Sequence, residues 1–569
     1  LRASPSPARQ KCIFLNNHGF RVTGDGICRG RRKRCGGHDK FRNLDGSCNN
    51  FDNPTWGRSN RAFARILPPR YSDGIHGMPV SVTGADLPNP RKLSVRLYSR
   101  RSNLDPELTL AVVQWGQTLA HDLARQKKKP QCCGENGKRQ LPKSLQHHSC
   151  APISISPRDK FYSSHGQRCM NFVRSMTVAR EDCTLGPADQ LNGATSFLDC
   201  SPMYGVDKAT SDELREFTGG RMKVEFRSGR WMLPTVRNHS DVCDIWTSDD
   251  VCYRSGDPRN NQNPQLVILQ TLLVREHNRI ADGLSALNPD WTDERIFQES
   301  RRIVIAEYQH ITYNEWLPIL TRGILVDPST IIGFTSGAFR SLHSMVEGDL
   351  GLCDVEGNFV HNLRLSDHYF RPRVIEKGSN FEDLLRGLTL TEYLFRSRND
   401  YGMDLAAIDI QRGRDHGVPG YNAYRKICRL RPARDFDDLS EEISWENIEK
   451  LRRDYAHVDD IDLIVGATME KRITGSQFGP TNRCLIGEQF YRSRMGDRYF
   501  YDNEKFCPSF TPGKDQFDEI TKVTLSRLIC DMGGDVDVVQ RYAFRAVSSK
   551  NPLVPCEDLP KLDLKFWIE

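Results

Sequence analysis

The stretch Pro264-Gln265-Leu266-Val267-Ile268-Leu269-Gln270-Thr271-Leu272-Leu273-Val274-Arg275-Glu276-His277-Asn278-Arg279-Ile280 decides the fold class. Proline suits a first helical turn, where its missing N–H is not needed. Leu266, Leu269, Leu273, His277 and Ile280 then recur at helical spacing. The most apolar part, Leu266 to Val274, is short and broken by Gln270, well below a bilayer span. Outward from this segment the same period returns. Pro106 and Glu107 predict a helix running to Leu123, carrying Leu108, Leu110, Val112, Val113, Trp115 and Leu119. Thr292-Asp293-Glu294 caps another, which continues through Ile303, Ile305, Tyr308 and Ile311 to Leu317. Further helices are expected near 381–389, 439–455, 459–471 and 515–532. Strand signals are few and short, and no internal repeat is visible. The expectation is a mainly α protein: one large helical domain with long loops and little β structure.

Length alone, 569 residues, would suggest several domains, but large all-α enzymes break that prior. Hydrophobic content of 38% and charged content of 27% are those of a globular chain and argue against overall disorder. Eighteen cysteines, scattered among loop residues and without Cys-x-x-Cys pairs at zinc spacing, point to disulfide staples in an oxidising compartment. Cys12/Cys28, Cys35/Cys48 and Cys243/Cys252 are the expected near pairs. Asn238-His239-Ser240 is a glycosylation sequon and agrees with a secreted, extracellular protein. Residues 1 to about 60 read as an irregular arm rich in Gly, Asn and Arg. Arg31-Arg32-Lys33-Arg34 has the form of a dibasic processing site before Cys35. Residues 1–34 are therefore expected to be a propeptide or a cysteine-containing arm, and 35–569 the main domain. The net charge of +7 gathers in that run and in Lys127-Lys128-Lys129. Without interleaved aromatics these read as solvated loops, not as a nucleic-acid surface. No transmembrane segment is expected, and the sequence leaves the oligomeric state open.

Five segments carry chemistry. Trp115-Gly116-Gln117-Thr118-Leu119-Ala120-His121-Asp122 sets Gln117 and His121 four apart, on one helix face. Taken alone, such a histidine is more often a hydrogen-bonded core residue. Thr195-Ser196-Phe197-Leu198-Asp199-Cys200-Ser201 places oxygen-bearing side chains at alternate positions, the kind of donor set a hard cation such as Ca²⁺ needs. Asp122 would add a carboxylate to Thr195, Asp199, Ser201 and the Phe197 backbone. The others are Gly256-Asp257-Pro258-Arg259-Asn260-Asn261-Gln262-Asn263, then Ala338-Phe339-Arg340-Ser341-Leu342-His343, then Asp409-Ile410-Gln411-Arg412-Gly413-Arg414-Asp415-His416-Gly417.

In this order, from about residue 40 to 560, these segments resemble the animal haem peroxidase family. The Gln262-Asn263-Pro264-Gln265-Leu266 and Asp409-Ile410-Gln411-Arg412 phrasing is closest to its arthropod branch of chorion peroxidases and peroxinectins. The resemblance implies a helical fold around haem b. It makes His121 the distal acid–base residue, with Gln117 beside it and Arg259 as distal arginine. It makes His343 the iron ligand, with Arg340 near the haem and Asp409 accepting the histidine N–H. It assigns calcium to Asp122, Thr195, Phe197, Asp199 and Ser201. The implied activity is reduction of H₂O₂ with oxidation of small phenolic or halide donors such as iodide, or of tyrosyl residues in matrix proteins, through ferryl intermediates.

Two departures from the mammalian members matter. Ala120 and Gln262 occupy the positions whose carboxylates make ester links to haem there, and neither can form an ester. Asn263 likewise excludes a sulfonium link, so non-covalent haem is expected. Asp409 stands where mammalian members carry asparagine. A carboxylate accepts a stronger hydrogen bond from the ligand histidine, which favours ferric and higher-valent iron, lowers the potential and argues against chloride oxidation. His277 and His416 read as structural. Arg412 and Arg414 could face haem propionates or neighbouring carboxylates. A cyclooxygenase-like activity is disfavoured because Arg340 occupies the position of its tyrosine. The alternative is a peroxinectin-like adhesion or immune-signalling protein on the same fold. The chain has neither an Arg-Gly-Asp nor a Lys-Gly-Asp triplet, and Lys377-Gly378-Ser379 is the nearest approach.

Overall fold

The computed structural model describes residues 35–36, 39–98, 105–126, 132–134, 137–142, 146–179, 186–236, 242–321, 330–390, 404–503 and 514–569. The proposed 1–34 leader, the Cys12/Cys28 pair, the Lys127–Lys129 run and the Asn238 sequon lie outside those residues.

The architecture is mainly helical, built round the helix Pro264–Leu287. Its apolar residues are buried on every face of its first half, so it sits in the middle of the molecule. Packed against it are Asp293–Ile311, Ala111–Leu123, Asn380–Leu390 and Leu525–Met532. No helix among the described residues is long and apolar enough to cross a membrane. Strands among the described residues are short, none longer than the six residues of Phe359–Arg364, which pairs antiparallel with Asp349–Cys353. One three-stranded sheet orders Arg61–Ala62, Asp189–Asn192 and Thr177–Val178, with Ala62 opposite Leu191 and Thr177 opposite Gln190.

The helix Asp293–Ile311 starts on the Thr292 side chain, which accepts from the Arg295 N–H. It runs through a π turn, Thr312–Trp316, into Leu317–Leu320. Two tryptophans lock that turn to the helix Ala111–Leu123: Trp316 Nε1 donates to Val112 O at 2.7 Å and Trp115 Nε1 to Thr312 Oγ1 at 3.1 Å. A buried indole N–H needs such a partner.

Several predicted helices are shorter than their apolar patterns. Residues before Ala111 are not helical: Leu108 bridges Arg545, and Thr109 donates from N to Phe544 O and from Oγ1 to Ala543 O. Leu108 and Leu110 are buried by that C-terminal segment rather than by a helix face. The 439–455 pattern becomes a helix only at Trp445–Asp454, because Ile443 pairs with Glu470. The 459–471 pattern splits into a turn at Val458–Asp460 and a helix Leu463–Met469. The 515–532 pattern splits into Lys514–Ile520 and Leu525–Met532, the second capped by Thr524.

Six disulfides are present among the described residues, including the expected Cys35–Cys48 and Cys243–Cys252. The others are Cys132–Cys150, Cys133–Cys169, Cys428–Cys484 and Cys530–Cys556. The described part of the arm is irregular and anchored by Arg42, whose Nη1 lies 2.5 Å from Asp497 Oδ2.

Gly116 permits a close approach between two walls of the molecule. A Cβ there would lie 2.9 Å from Leu342 Cδ1 and 3.1 Å from Trp316 Cζ2. Gly116→Val should therefore destabilise the fold by about 1–3 kcal/mol through overpacking, read as a lower denaturant midpoint; an unchanged midpoint would show that this contact can relax freely.

Candidate functional site

Two walls face each other across the Gly116–Leu342 contact. The first is the C-terminal half of Ala111–Leu123 together with the turn Pro258–Gln262. His121 is buried there, and burial followed by the Arg259 charge pushes its imidazole down to about 3. It is therefore neutral near pH 7 and able to accept a proton. Arg259 is fixed on both sides. Its Nε and Nη2 donate to Asp257 Oδ1 and Oδ2 at 2.8 and 2.7 Å. Its Nη1 and Nη2 donate to Ala124 O and His121 O at 2.9 and 3.1 Å. A cation on the last carbonyls of a helix also suits the helix dipole. Despite the burial of its carboxyl, Asp257 is held well below the usual carboxylate range by Arg259.

Beside His121 runs a chain of amides. Asn263 Nδ2 donates to Gln117 Oε1 at 2.7 Å, and Gln117 Nε2 donates to Gln262 Oε1 at 3.1 Å. Gln262 Nε2 donates in turn to Tyr369 Oη. Gln117, Ala120, Arg259 and Gln262 stay partly open amid buried neighbours, as the lining of a cleft does.

The second wall is the turn Ala338–Met345 with the helix Leu405–Asp415 behind it. His343 Nδ1 lies 2.7 Å from Asp409 Oδ2, and Arg340 Nη1 donates to Asp409 Oδ1 at 2.7 Å. Arg340 is held in turn by Thr335 O at 2.8 Å. Asp409 is 2% exposed and His343 36% by side chain, so the imidazole is open while its partner is sealed. His343 Nε2 has no hydrogen-bond partner among the described residues, which suits an iron ligand whose other nitrogen is engaged. Burial raises the Asp409 carboxyl, but the His343 and Arg340 charges outweigh it and hold it below its ordinary value.

Asp122 points the other way from His121, into the 195–201 loop. Its oxygens accept from the N–H groups of Asp199, Cys200 and Ser201 at 3.1, 3.2 and 2.8 Å, and from Ser201 Oγ at 2.6 Å. Thr195 Oγ1 donates to Asp199 Oδ1 at 2.9 Å and reaches Phe197 O at 3.3 Å. All five residues are buried, and Asp199 Oδ2 has no hydrogen-bond partner among the described residues. Burial and mutual repulsion push the Asp122 carboxyl up, and burial does the same to Asp199. Two buried carboxylates among hydroxyl and carbonyl oxygens, one oxygen orphaned, fit a hard cation. Among the described residues no cluster of three or more His, Cys, Asp or Glu competes as a metal site.

The remaining residues sort themselves by contact. His277 binds Tyr204 Oη through Nδ1 at 2.8 Å and Gly220 O through Nε2 at 2.9 Å. His416 bonds Ser336 Oγ and Ser175 Oγ. Both are structural, as the sequence reading has them. The choice left open for two arginines falls to carboxylates: Arg412 pairs with Asp415 at 2.9 Å and Arg414 with Asp462 at 2.7 Å. Sequence reasoning gave no role to Asp257 or Tyr369. Asp257 sits inside a quoted motif and could have been found as the buried partner that Arg259 requires. Tyr369 carries no local signal, being 107 residues from the glutamine it meets.

The chain is similar to known proteins over most of its length. The family described as "Animal haem peroxidase" matches residues 41–544. A Drosophila melanogaster protein named Peroxidase is 42% identical over 93% of this chain and 83% of its own length. A Drosophila melanogaster Chorion peroxidase is 38% identical over 93% of this chain and 71% of its own. Among solved structures, Peroxidase A from Dictyostelium discoideum superposes with a TM-score of 0.73 at 28% identity, covering 89% of this chain and 99% of that one. An Arabidopsis thaliana fatty acid alpha-dioxygenase, at 19% identity, TM-score 0.69 and coverage of 94% and 88%, shares the fold.

The Asp257–Arg259 pair gives a stability test. Asp257→Asn leaves the guanidinium without its counter-charge and should cost about 2–3 kcal/mol, at the low end for a broken buried pair because Arg259 is partly exposed. A depressed carboxyl contributes stability that is full above its unfolded value of about 4 and is lost as the pH falls through its native value. The loss in the variant should accordingly be constant from pH 5 to 8 and shrink in strong acid, as urea melts would show; equal losses at pH 7 and pH 2 would mean the pair is not the cause.

Proposed function

Because the chain belongs to the animal haem peroxidase family and is a haem peroxidase, we propose that it works outside the cell, reducing H₂O₂ and oxidising phenols, tyrosyl groups or iodide. The observation that carries this reading is the pairing of a neutral His121 and a clamped Arg259 on one wall with the sealed His343–Asp409 pair on the other. Haem, when bound between them, supplies the iron and stores the oxidising equivalents taken from peroxide.

The chain's own residues do the rest. His343 would hold the iron through Nε2, while Asp409 fixes the ring by accepting the Nδ1 hydrogen. His121 takes the proton from one peroxide oxygen and returns it to the other, so that water leaves instead of hydroxide. Arg259, immobilised by Asp257, meets the charge that develops on the departing oxygen without reorganising. Gln117 and Gln262 orient the peroxide and keep the cleft polar. Ala120 and Gln262 offer no carboxylate for an ester, so acidified organic extraction should carry the haem away from the denatured polypeptide.

Asp409 is shared. Arg340 neutralises one of its oxygens, so His343 receives a moderated rather than a full anionic hydrogen bond. The balance would still stabilise ferric and higher-valent iron, and so lower the oxidising power available for chloride. Expected rates with H₂O₂ are therefore high for guaiacol, tyrosine and iodide and negligible for chloride at neutral pH; sustained hypochlorite production would overturn the donor assignment. His121→Ala should keep the haem absorption band yet slow the reaction with peroxide roughly 10²–10⁴-fold, and a smaller loss would move the acid–base role elsewhere.

Calcium belongs to the same reading, held by Asp122, Thr195, Phe197 O, Asp199 and Ser201. Chelation with EGTA should lower the melting temperature and the peroxide rate together, since Asp122 adjoins His121. An ion present at a hundredfold excess over its Kd contributes about 2.7 kcal/mol, so a melt insensitive to EGTA and to added Ca²⁺ would exclude the site. Six disulfides support an oxidising, extracellular setting.

A further inference from the structure

We propose that Tyr369 is a redox relay through which this enzyme oxidises tyrosyl side chains of proteins too large to enter the cleft. The inference rests on the peroxide–phenol reading above and names a route for its bulkiest donors. Tyr369 follows the short helix Leu365–His368, and its side chain belongs to both environments. The residue is 39% exposed, yet its hydroxyl accepts from Gln262 Nε2, the outer link of the amide chain that begins at Asn263 and Gln117 beside His121. Because the oxygen already accepts there, its own proton finds no acceptor among the described residues and is left to water.

The backbone holds this arrangement under strain. Phe370 has φ of 56°, a left-handed conformation that a bulky side chain rarely adopts. It is kept there by its N–H donating to Gln262 O at 3.1 Å and by its carbonyl accepting from Asp244 N at 2.9 Å. Strain of this kind persists where the surroundings over-determine it, and it gathers at functional sites. A tyrosine that only decorated the surface would need neither the strained neighbour nor the bond to a cleft-lining amide.

The chemistry balances. Tyr369 gives one electron inward to the peroxide-oxidised centre and its hydroxyl proton to solvent, becoming a phenoxyl radical. A tyrosyl donor docked outside gives a hydrogen atom back to that oxygen, restoring the Tyr369 O–H and becoming a phenoxyl radical itself. Two such cycles deliver two electrons per H₂O₂, which with two protons gives two waters. The two donor radicals couple through a carbon–carbon bond to a dityrosine.

The test uses the holoenzyme mixed with one equivalent of H₂O₂ without donor and frozen for electron paramagnetic resonance. A tyrosyl radical is expected in the wild type, absent in Tyr369→Phe with its haem absorption band intact, and retained in Trp246→Phe, which alters a 69% exposed aromatic near the same rim. In parallel, Tyr369→Phe should lower the rate with a glutamate–tyrosine copolymer, relative to iodide, at least tenfold. A radical that persists in Tyr369→Phe, disappears in Trp246→Phe or never forms in the wild type overturns the relay, as does an unchanged copolymer-to-iodide ratio. Failure of the wild type to oxidise iodide or guaiacol at all would overturn the donor reading as well.

Discussion

The last turn of the helix Ala111–Leu123 is the joint on which the site depends. Asp122 leaves it on one side to hold the 195–201 loop, and the carbonyls of His121 and Ala124 leave it on the other to hold Arg259. Gly256 closes the triangle, because a Cβ there would lie 2.5 Å from Ser201 O. Asp257 N also donates to Pro202 O at 3.0 Å. His121, the Arg259 turn and the 195–201 loop are therefore tied to one another. They are joined by direct hydrogen bonds, from 2.6 Å at Ser201 Oγ to 3.1 Å at His121 O.

The opposite wall solves a different problem. His343 is held at Nδ1 by a sealed Asp409, and its other nitrogen has no hydrogen-bond partner among the described residues. A buried carboxylate with only one of its oxygens engaged would be costly, and Arg340 offsets that cost by taking the second oxygen. The same arginine thereby shares with His343 the one carboxylate that both side chains engage.

Much of this was legible in the sequence because it is local. A 3.6-residue period needs no partner to be recognised, so the helix Pro264–Leu287 and the cap at Thr292 were readable. Gln117 and His121 share a face by helix geometry alone, and the cysteine pairs Cys35/Cys48 and Cys243/Cys252 are close in sequence. Predicted helices failed where apolar residues are buried by distant chain: Leu108 and Leu110 against residues near 543–545, and Ile443 against Glu470. An apolar pattern reports that a residue is buried, not what buries it.

The chain by itself thus determined the helical class and the residue types of both walls and of the 195–201 loop. It also determined that Ala120 and Gln262 cannot tether a haem through esters. Only the tertiary structure decided the partners: that Arg259 is clamped by Asp257, that Asp409 is divided between His343 and Arg340, that Arg412 and Arg414 face carboxylates, and that Tyr369 reaches Gln262. The reason is physical. Helical period and side-chain chemistry are properties of neighbouring residues, whereas a buried charge is satisfied by whichever group the fold brings within about 3 Å, and that group can stand anywhere along the chain.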